Sequence, residues 1–137
     1  MQKYDEWNEV KKVTTQKERN VGFKQRDIFW VRIGQNIGSE EFGKGNEFQR
    51  PVLIVRKLTH DLFIGIPLTS SLKEDNDYFY TFEFFNKQKK AISKNSAMIL
   101  QMKSFDKKRL MGKIGVLQKE DFNIIIEKIR DLFIPLK

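Results

Sequence analysis

A chain of 137 residues has room for one domain with its own core, without covalent staples. It holds no cysteine and a single histidine, His60, which excludes disulfides, thiolate nucleophiles and Cys/His metal centres. No apolar run approaches the roughly 18 residues of a membrane span, and the opening MQKYDEWNEV lacks the hydrophobic stretch of a signal peptide, so a soluble, cytoplasmic protein is expected. A formal net charge of +8 points to a polyanionic partner.

Residues 1–24 carry no strand-like run. Tyr4, Trp7, Val10 and Val13 recur every three residues, a narrow apolar stripe that predicts a helical extension, weakened at its end by Thr14 and Thr15. Strand signals dominate from residue 25 onward. The segment DIFWVRI, residues 27–33, sets Ile28 and Trp30 against Phe29, Val31 and Ile33, predicting a strand with apolar content on both faces. A polar, glycine-bearing stretch follows and ends at Arg50 and Pro51. The proline fixes its own φ and biases Arg50 toward an extended conformation at a strand start.

The runs PVLIVRKL and LFIGIPLT flank the polar turn Thr59, His60 and Asp61, which predicts a hairpin with His60 as a plain turn residue. YFYTFEFF, residues 78–85, alternates with a high aromatic load. Residues 96–105 and 110–116 predict two further strands about the DKKR turn. Phe122, Ile125, Ile126, Ile129, Leu132 and Phe133 keep helical spacing, and Pro135 marks the stop. Many short strands closed by one amphipathic helix predict a mainly β fold with helices (α+β). The architecture is a small barrel rather than alternating βαβ units, with the domain at 25–137 behind an extension at 1–24.

Charge is unevenly spread. Between Asn86 and Lys113 nine basic residues (Lys87, Lys89, Lys90, Lys94, Lys103, Lys107, Lys108, Arg109 and Lys113) face one acid, Asp106. Such a cluster fits either a solvated surface or a phosphate-binding one. Gly38, Gly43 and Gly45 match neither a Walker loop nor a dinucleotide fingerprint, so no nucleotide cofactor is expected. What remains are Arg, Lys, Thr, Ser, Tyr and carboxylates. That inventory suits phosphodiester cleavage in RNA, where the substrate's own 2'-hydroxyl is the nucleophile and the protein moves protons and steadies charge.

Five blocks, RDIFWVRI, NIGSEEFGKG, RPVLIV, IPLTSS and LQMKSFDKKRLMGKIG, run in one order and resemble the PemK/MazF (Kid-like) toxins of type II toxin-antitoxin systems, a likeness that extends from about Arg26 to Phe133. The resemblance implies a small SH3-like β-barrel closed by a C-terminal helix, assembled as a homodimer. It also implies a sequence-preferring endoribonuclease (mRNA interferase) that cleaves single-stranded RNA without metal or other cofactor. Arg50 of the RP block and Thr69 of the PLTS block match catalytic positions. Ser39 and Glu40 match the pocket-lining GSE block, and Ser70 and Gln101 match positions that hold RNA. Lys103, Lys107 and Lys108 of the basic stretch are expected to flank the RNA, and an acidic antitoxin, partly disordered until bound, is the expected protein partner.

Two departures bear on the chemistry. The insertion EFGKGNEFQ lengthens the loop before Arg50, and Leu100 stands where relatives often carry an acid, which leaves Glu40, or Glu41 beside it, as the nearest candidate for a general base. Two other readings fit the same barrel. One is a non-catalytic protein acting on nucleic acid or on a protein such as gyrase, which the FIPLK ending disfavours because gyrase-directed relatives end in an aromatic tail. The other is an inactivated relative.

Overall fold

A computed structural model describes residues 22–33 and 49–134. The expected helix around Tyr4 to Val13, the loop carrying Ser39, Glu40 and Glu41, and Pro135 lie outside the described residues.

Among the described residues, seven strands and one α-helix follow in chain order: β1 (Asp27–Arg32), β2 (Gln49–Lys57), β3 (Leu62–Thr69), β4 (Phe79–Asn86), β5 (Ala91–Met98), β6 (Lys103–Asp106), β7 (Leu110–Val116) and α1 (Lys119–Phe133). They form one antiparallel sheet in the order β4-β5-β3-β2-β1-β7, with β6 paired to β3. The sheet curls until its two outer strands meet. Lys87 N donates to Ile114 O at 2.8 Å across this seam. Gly115 permits the approach, since a Cβ there would sit 2.8 Å from Phe85 O and 2.7 Å from a Phe84 ring carbon. The result is the mainly β half-barrel with a C-terminal helix that the strand pattern predicts.

The curl leaves apolar side chains on both faces of the central strands. Inside, Ile28, Leu53, Ile66, Leu68, Phe82 and Phe84 pack with Ile114, Phe122 and Ile125, so the helix stoppers the barrel with the buried face of its periodic stripe. Outside, Phe29, Val31, Val52, Ile54, Phe63 and Phe105 form a second cluster. Phe23, near the end of the expected extension, is buried in that outer cluster with its ring 5.4 Å from Phe63. The two-faced pattern of DIFWVRI thus reflects two cores on one strand.

Arg26 occupies the left-handed region, at φ 76°. That conformation favours glycine over a residue with a side chain. Arg26 holds the conformation through several bonds. Its N donates to Ile54 O at 2.9 Å, its carbonyl accepts from Leu117 N at 2.8 Å, and Nη1 donates to Leu117 O at 3.1 Å.

One expected strand is corrected. Residues 96–105 do not run as a single strand: β5 ends at Met98, a 3-10 turn covers Ile99–Gln101, and β6 begins at Lys103. Both β5 and β6 lie along the same edge of β3, with Ala97 opposite Leu68 and Lys103 opposite Gly65. Met98 to Met102 therefore face only Ile66 and Pro67, and the surplus residues coil into the turn, where Met102 N donates to Ile99 O at 3.1 Å. The first half of β5, Ala91–Asn95, carries no apolar alternation and was not expected as strand.

Candidate functional site

Where β2 begins and β3 ends, next to the tip of the β4–β5 hairpin, the barrel opens into a cleft of about 570 Å³. Arg50 and Thr69 both line it. Each position follows from local sequence. Pro51 pairs with Trp30 in the β1–β2 ladder, which fixes Arg50 one residue inside the strand start. Arg50 Nη1 donates to Leu68 O at 3.3 Å, so the guanidinium reaches across to the β3 strand that delivers Thr69.

Thr69 ends β3 opposite Ser96 of β5. Its Oγ1 accepts from Ser71 N at 3.1 Å, a local turn that directs the chain away from the sheet. With that oxygen's lone pair so engaged, the hydroxyl hydrogen can be donated to an acceptor in the cleft. Ser70 and Ser71 also line the cavity, and Ser70 is exposed.

The opposite wall comes from the β4–β5 hairpin, with Lys89, Lys94 and Asn95 among its residues. The hairpin turn is built by Asn86, whose Oδ1 accepts from Gln88 N at 2.9 Å and Lys89 N at 3.1 Å. Lys90 closes the turn at φ 55°. Trp30 forms part of the floor, and its Nε1 donates to Gln88 Oε1 at 3.0 Å, tying strand β1 to the hairpin tip. Gly112 pairs with Trp30 on β7, in the same corner as Gln88.

Among the described residues the cleft is lined by three cations, Arg50, Lys89 and Lys94, and by no carboxylate. Amides and hydroxyls complete it. A planar guanidinium, a hydroxyl donor and two ammonium groups around one concave space are groups able to bind phosphate oxygens. The described residues hold no group of three or more His, Asp or Glu side chains placed to bind a metal ion.

The remaining sequence candidates fall elsewhere or outside view. Ser39, Glu40 and Glu41 lie outside the described residues. Gln101 is exposed on the 3-10 turn, its Nε2 3.7 Å from Met98 Sδ, and does not line the cleft. Neither do Lys103, Lys107 and Lys108. Lys103 sits over the Phe105 ring at 5.2 Å, and Lys107 N donates to Asp61 O at 2.7 Å. Asp61 to Thr69 spans eight residues of a strand, so the Lys107 end lies roughly 25 Å along β3 from Thr69. The basic stretch is thus split by the fold: Lys89 and Lys94 line the cleft, Lys107 stands at the far end of β3, and Lys113 pairs with Asp27 at 3.1 Å. Trp30, Gln88, Lys89, Lys94 and Asn95 were not singled out as site residues from the sequence. Only the folded hairpin brings them to the cleft, and the lysine run was the one signal that touched them.

Comparison with known proteins agrees with this fold. The chain matches the model of the PemK-like, MazF-like toxins of type II toxin-antitoxin systems over residues 24–133, and it belongs to that family. Among solved structures it is similar to an endoribonuclease in complex with its cognate antitoxin from a mycobacterial species, at 12% identity over 85% of this chain and 100% of that one, TM-score 0.62. It is also similar to the Mycobacterium tuberculosis toxin MazF-mt6, at 18% identity over 79% of this chain and 96% of that one, TM-score 0.56. A third is the MazE-MazF complex of Deinococcus radiodurans, at 14% identity over 85% of this chain and 100% of that one, TM-score 0.56. At these identities the structural likeness establishes a shared fold alone. No curated protein sequence matches the chain.

Proposed function

We propose that this protein is a toxin that acts as a sequence-preferring endoribonuclease on single-stranded RNA. The observation that carries the reading is the meeting of Arg50 and Thr69 in one cationic cleft, within a chain of the PemK/MazF-like toxin family. In this reading the scissile phosphate lies between the Arg50 guanidinium and the Thr69 hydroxyl. Arg50 stabilises the charge that grows on the phosphorane oxygens, and Thr69 donates a hydrogen bond to one of them. The RNA 2'-hydroxyl attacks the adjacent phosphorus, the 5'-oxygen of the next nucleotide leaves with a proton, and a 2',3'-cyclic phosphate remains. Glu40 is proposed as the general base, with Glu41 beside it and Ser39 and Ser70 holding RNA at the cleft; Gln101, which does not line the cleft, would meet RNA only beyond it.

The family membership and the antitoxin complexes among similar structures support an antitoxin as protein partner, proposed to be acidic because this chain carries a net charge of +8. A homodimer and a cytoplasmic location belong to the same proposal. No described helix is long and apolar enough to cross a membrane.

The test is an end-mapped digestion of mixed RNA in EDTA. Cyclic or 3'-phosphate ends with free 5'-hydroxyls, and no cutting of 2'-O-methyl RNA, are expected. Metal-dependent cutting that leaves 5'-phosphates would require a different mechanism.

A further inference from the structure

The segment that follows Thr69 is held by an unusual device. Ser96, fully buried on β5, accepts a hydrogen bond from Lys73 N at 2.9 Å. Thr81 Oγ1 on β4 donates to Lys73 O at 2.9 Å. The two hydroxyl oxygens lie 2.5 Å apart. Each hydroxyl can donate once, and Thr81 spends its hydrogen on the Lys73 carbonyl, so Ser96 must donate to Thr81. The chain of donors therefore has one direction: Lys73 N–H to Ser96, Ser96 O–H to Thr81, Thr81 O–H to Lys73 O. Both backbone groups of one loop residue are satisfied by a two-hydroxyl relay, and no member is left unpaired.

The relay sits beside the candidate chemistry. Ser96 is the β5 partner of Thr69, so the same residue pairs with the Thr69 backbone and clamps the chain four residues later. Ser71, between the two, donates its N–H to Thr69 Oγ1 at 3.1 Å. Thr81 N donates to Asp75 Oδ1 at 2.8 Å, which ties the next part of the loop to the same strand. The turn that sets the direction of the Thr69 hydroxyl is thus fixed on both sides.

We propose that Ser96 and Thr81 are positioning residues whose hydroxyl relay on Lys73 holds Thr69 in register with Arg50 for phosphate cleavage. This rests on the ribonuclease reading. Neither hydroxyl acts on RNA in this role. They remove the freedom of the Ser70–Lys73 backbone, on which the aim of the Thr69 hydroxyl depends, and misplacement by about 1 Å in such a site can cost on the order of a hundredfold in rate.

The experiment compares wild type, Thr81→Val, Thr81→Ser and Ser96→Ala in cleavage of one oligonucleotide, with amide exchange of Lys73 followed in parallel. Valine keeps the shape and deletes the relay, while serine keeps the relay. Expected for Thr81→Val are a kcat lower by about ten- to a hundredfold, a KM changed by less than about threefold, and faster Lys73 exchange. Thr81→Ser should stay within about threefold of wild type, and Ser96→Ala should reproduce the valine result should the valine variant fail to fold. Wild-type kcat in Thr81→Val overturns the inference, as does an equal loss in valine and serine variants or a change confined to KM. Wild-type protein that leaves RNA intact overturns the ribonuclease reading and this inference with it, an outcome separate from the others.

Discussion

At the scale of single residues, the proposed chemistry rests on Arg50 more than on any other described side chain. A guanidinium offers a planar fork to two phosphate oxygens and an ammonium does not, so Arg50→Ala should lower cleavage by at least about a hundredfold and Arg50→Lys should recover little of it. Thr69→Ala should cost less, about tenfold, because one neutral donor is lost; unchanged cleavage in that variant would remove Thr69 from the site. Tyr80 makes a different claim, about stability. Burial first, and then its 2.6 Å hydrogen bond to Asp121 Oδ1, push its phenol up to about 12. Folding therefore favours the neutral phenol. The contribution is complete below about pH 10, the ordinary tyrosine value, and is lost as pH rises from there through about 12. Tyr80→Phe should lower stability by about 1 kcal/mol at neutral pH and flatten the alkaline decline in a series of denaturant melts. An unchanged decline would mean that other groups set it.

At the scale of elements, the β4–β5 hairpin shows what the sequence could and could not disclose. Strands β1, β2 and β3 were legible because their apolar residues serve two cores, and periodicity is a record of burial. The helix was legible for the same reason, through Phe122 and Ile125. Ala91–Asn95 was not legible because Ser93 and Asn95 face the cleft, where polar groups replace the apolar alternation that marks a strand. The break at Ile99–Gln101 was hidden because it arises from two strands sharing one edge of β3, a tertiary fact. Block order brought Arg50 and Thr69 forward, but no spacing in the chain could join Trp30 to Gln88 or Lys94 to Arg50, which the curl of the sheet brings together. The hairpin also yields a test of backbone strain. Lys90 is exposed and sits at φ 55°, a conformation that costs a side-chain-bearing residue about 1 kcal/mol. Lys90→Gly should raise stability by roughly that amount in urea melts, and a loss of similar size would show that the turn is unstrained.

For the whole molecule, charge placement separates a groove from a merely basic surface. Lys89 and Lys94 line the cleft, whereas Lys107 and Lys108 stand at the far end of β3. Affinity for single-stranded RNA should fall with salt at a log-log slope of about −0.7 per phosphate contact. Neutralising Lys89 or Lys94 to Gln should flatten the slope by about that amount each, with the preferred cut sequence unchanged, since phosphate contacts position RNA without reading its bases. The same change at Lys107 or Lys108 flattens it only if the RNA path runs the length of β3, so the pair of measurements maps the path. The central claim, that Arg50 in this cleft drives RNA cleavage, is tested most directly by single-turnover cleavage of one oligonucleotide in EDTA, with wild type and Arg50→Ala both at saturating concentration. The account predicts rapid cutting by wild type and a rate at least about a hundredfold lower for the variant, with RNA still bound. Equal rates for the two proteins, or intact RNA with both, would contradict it.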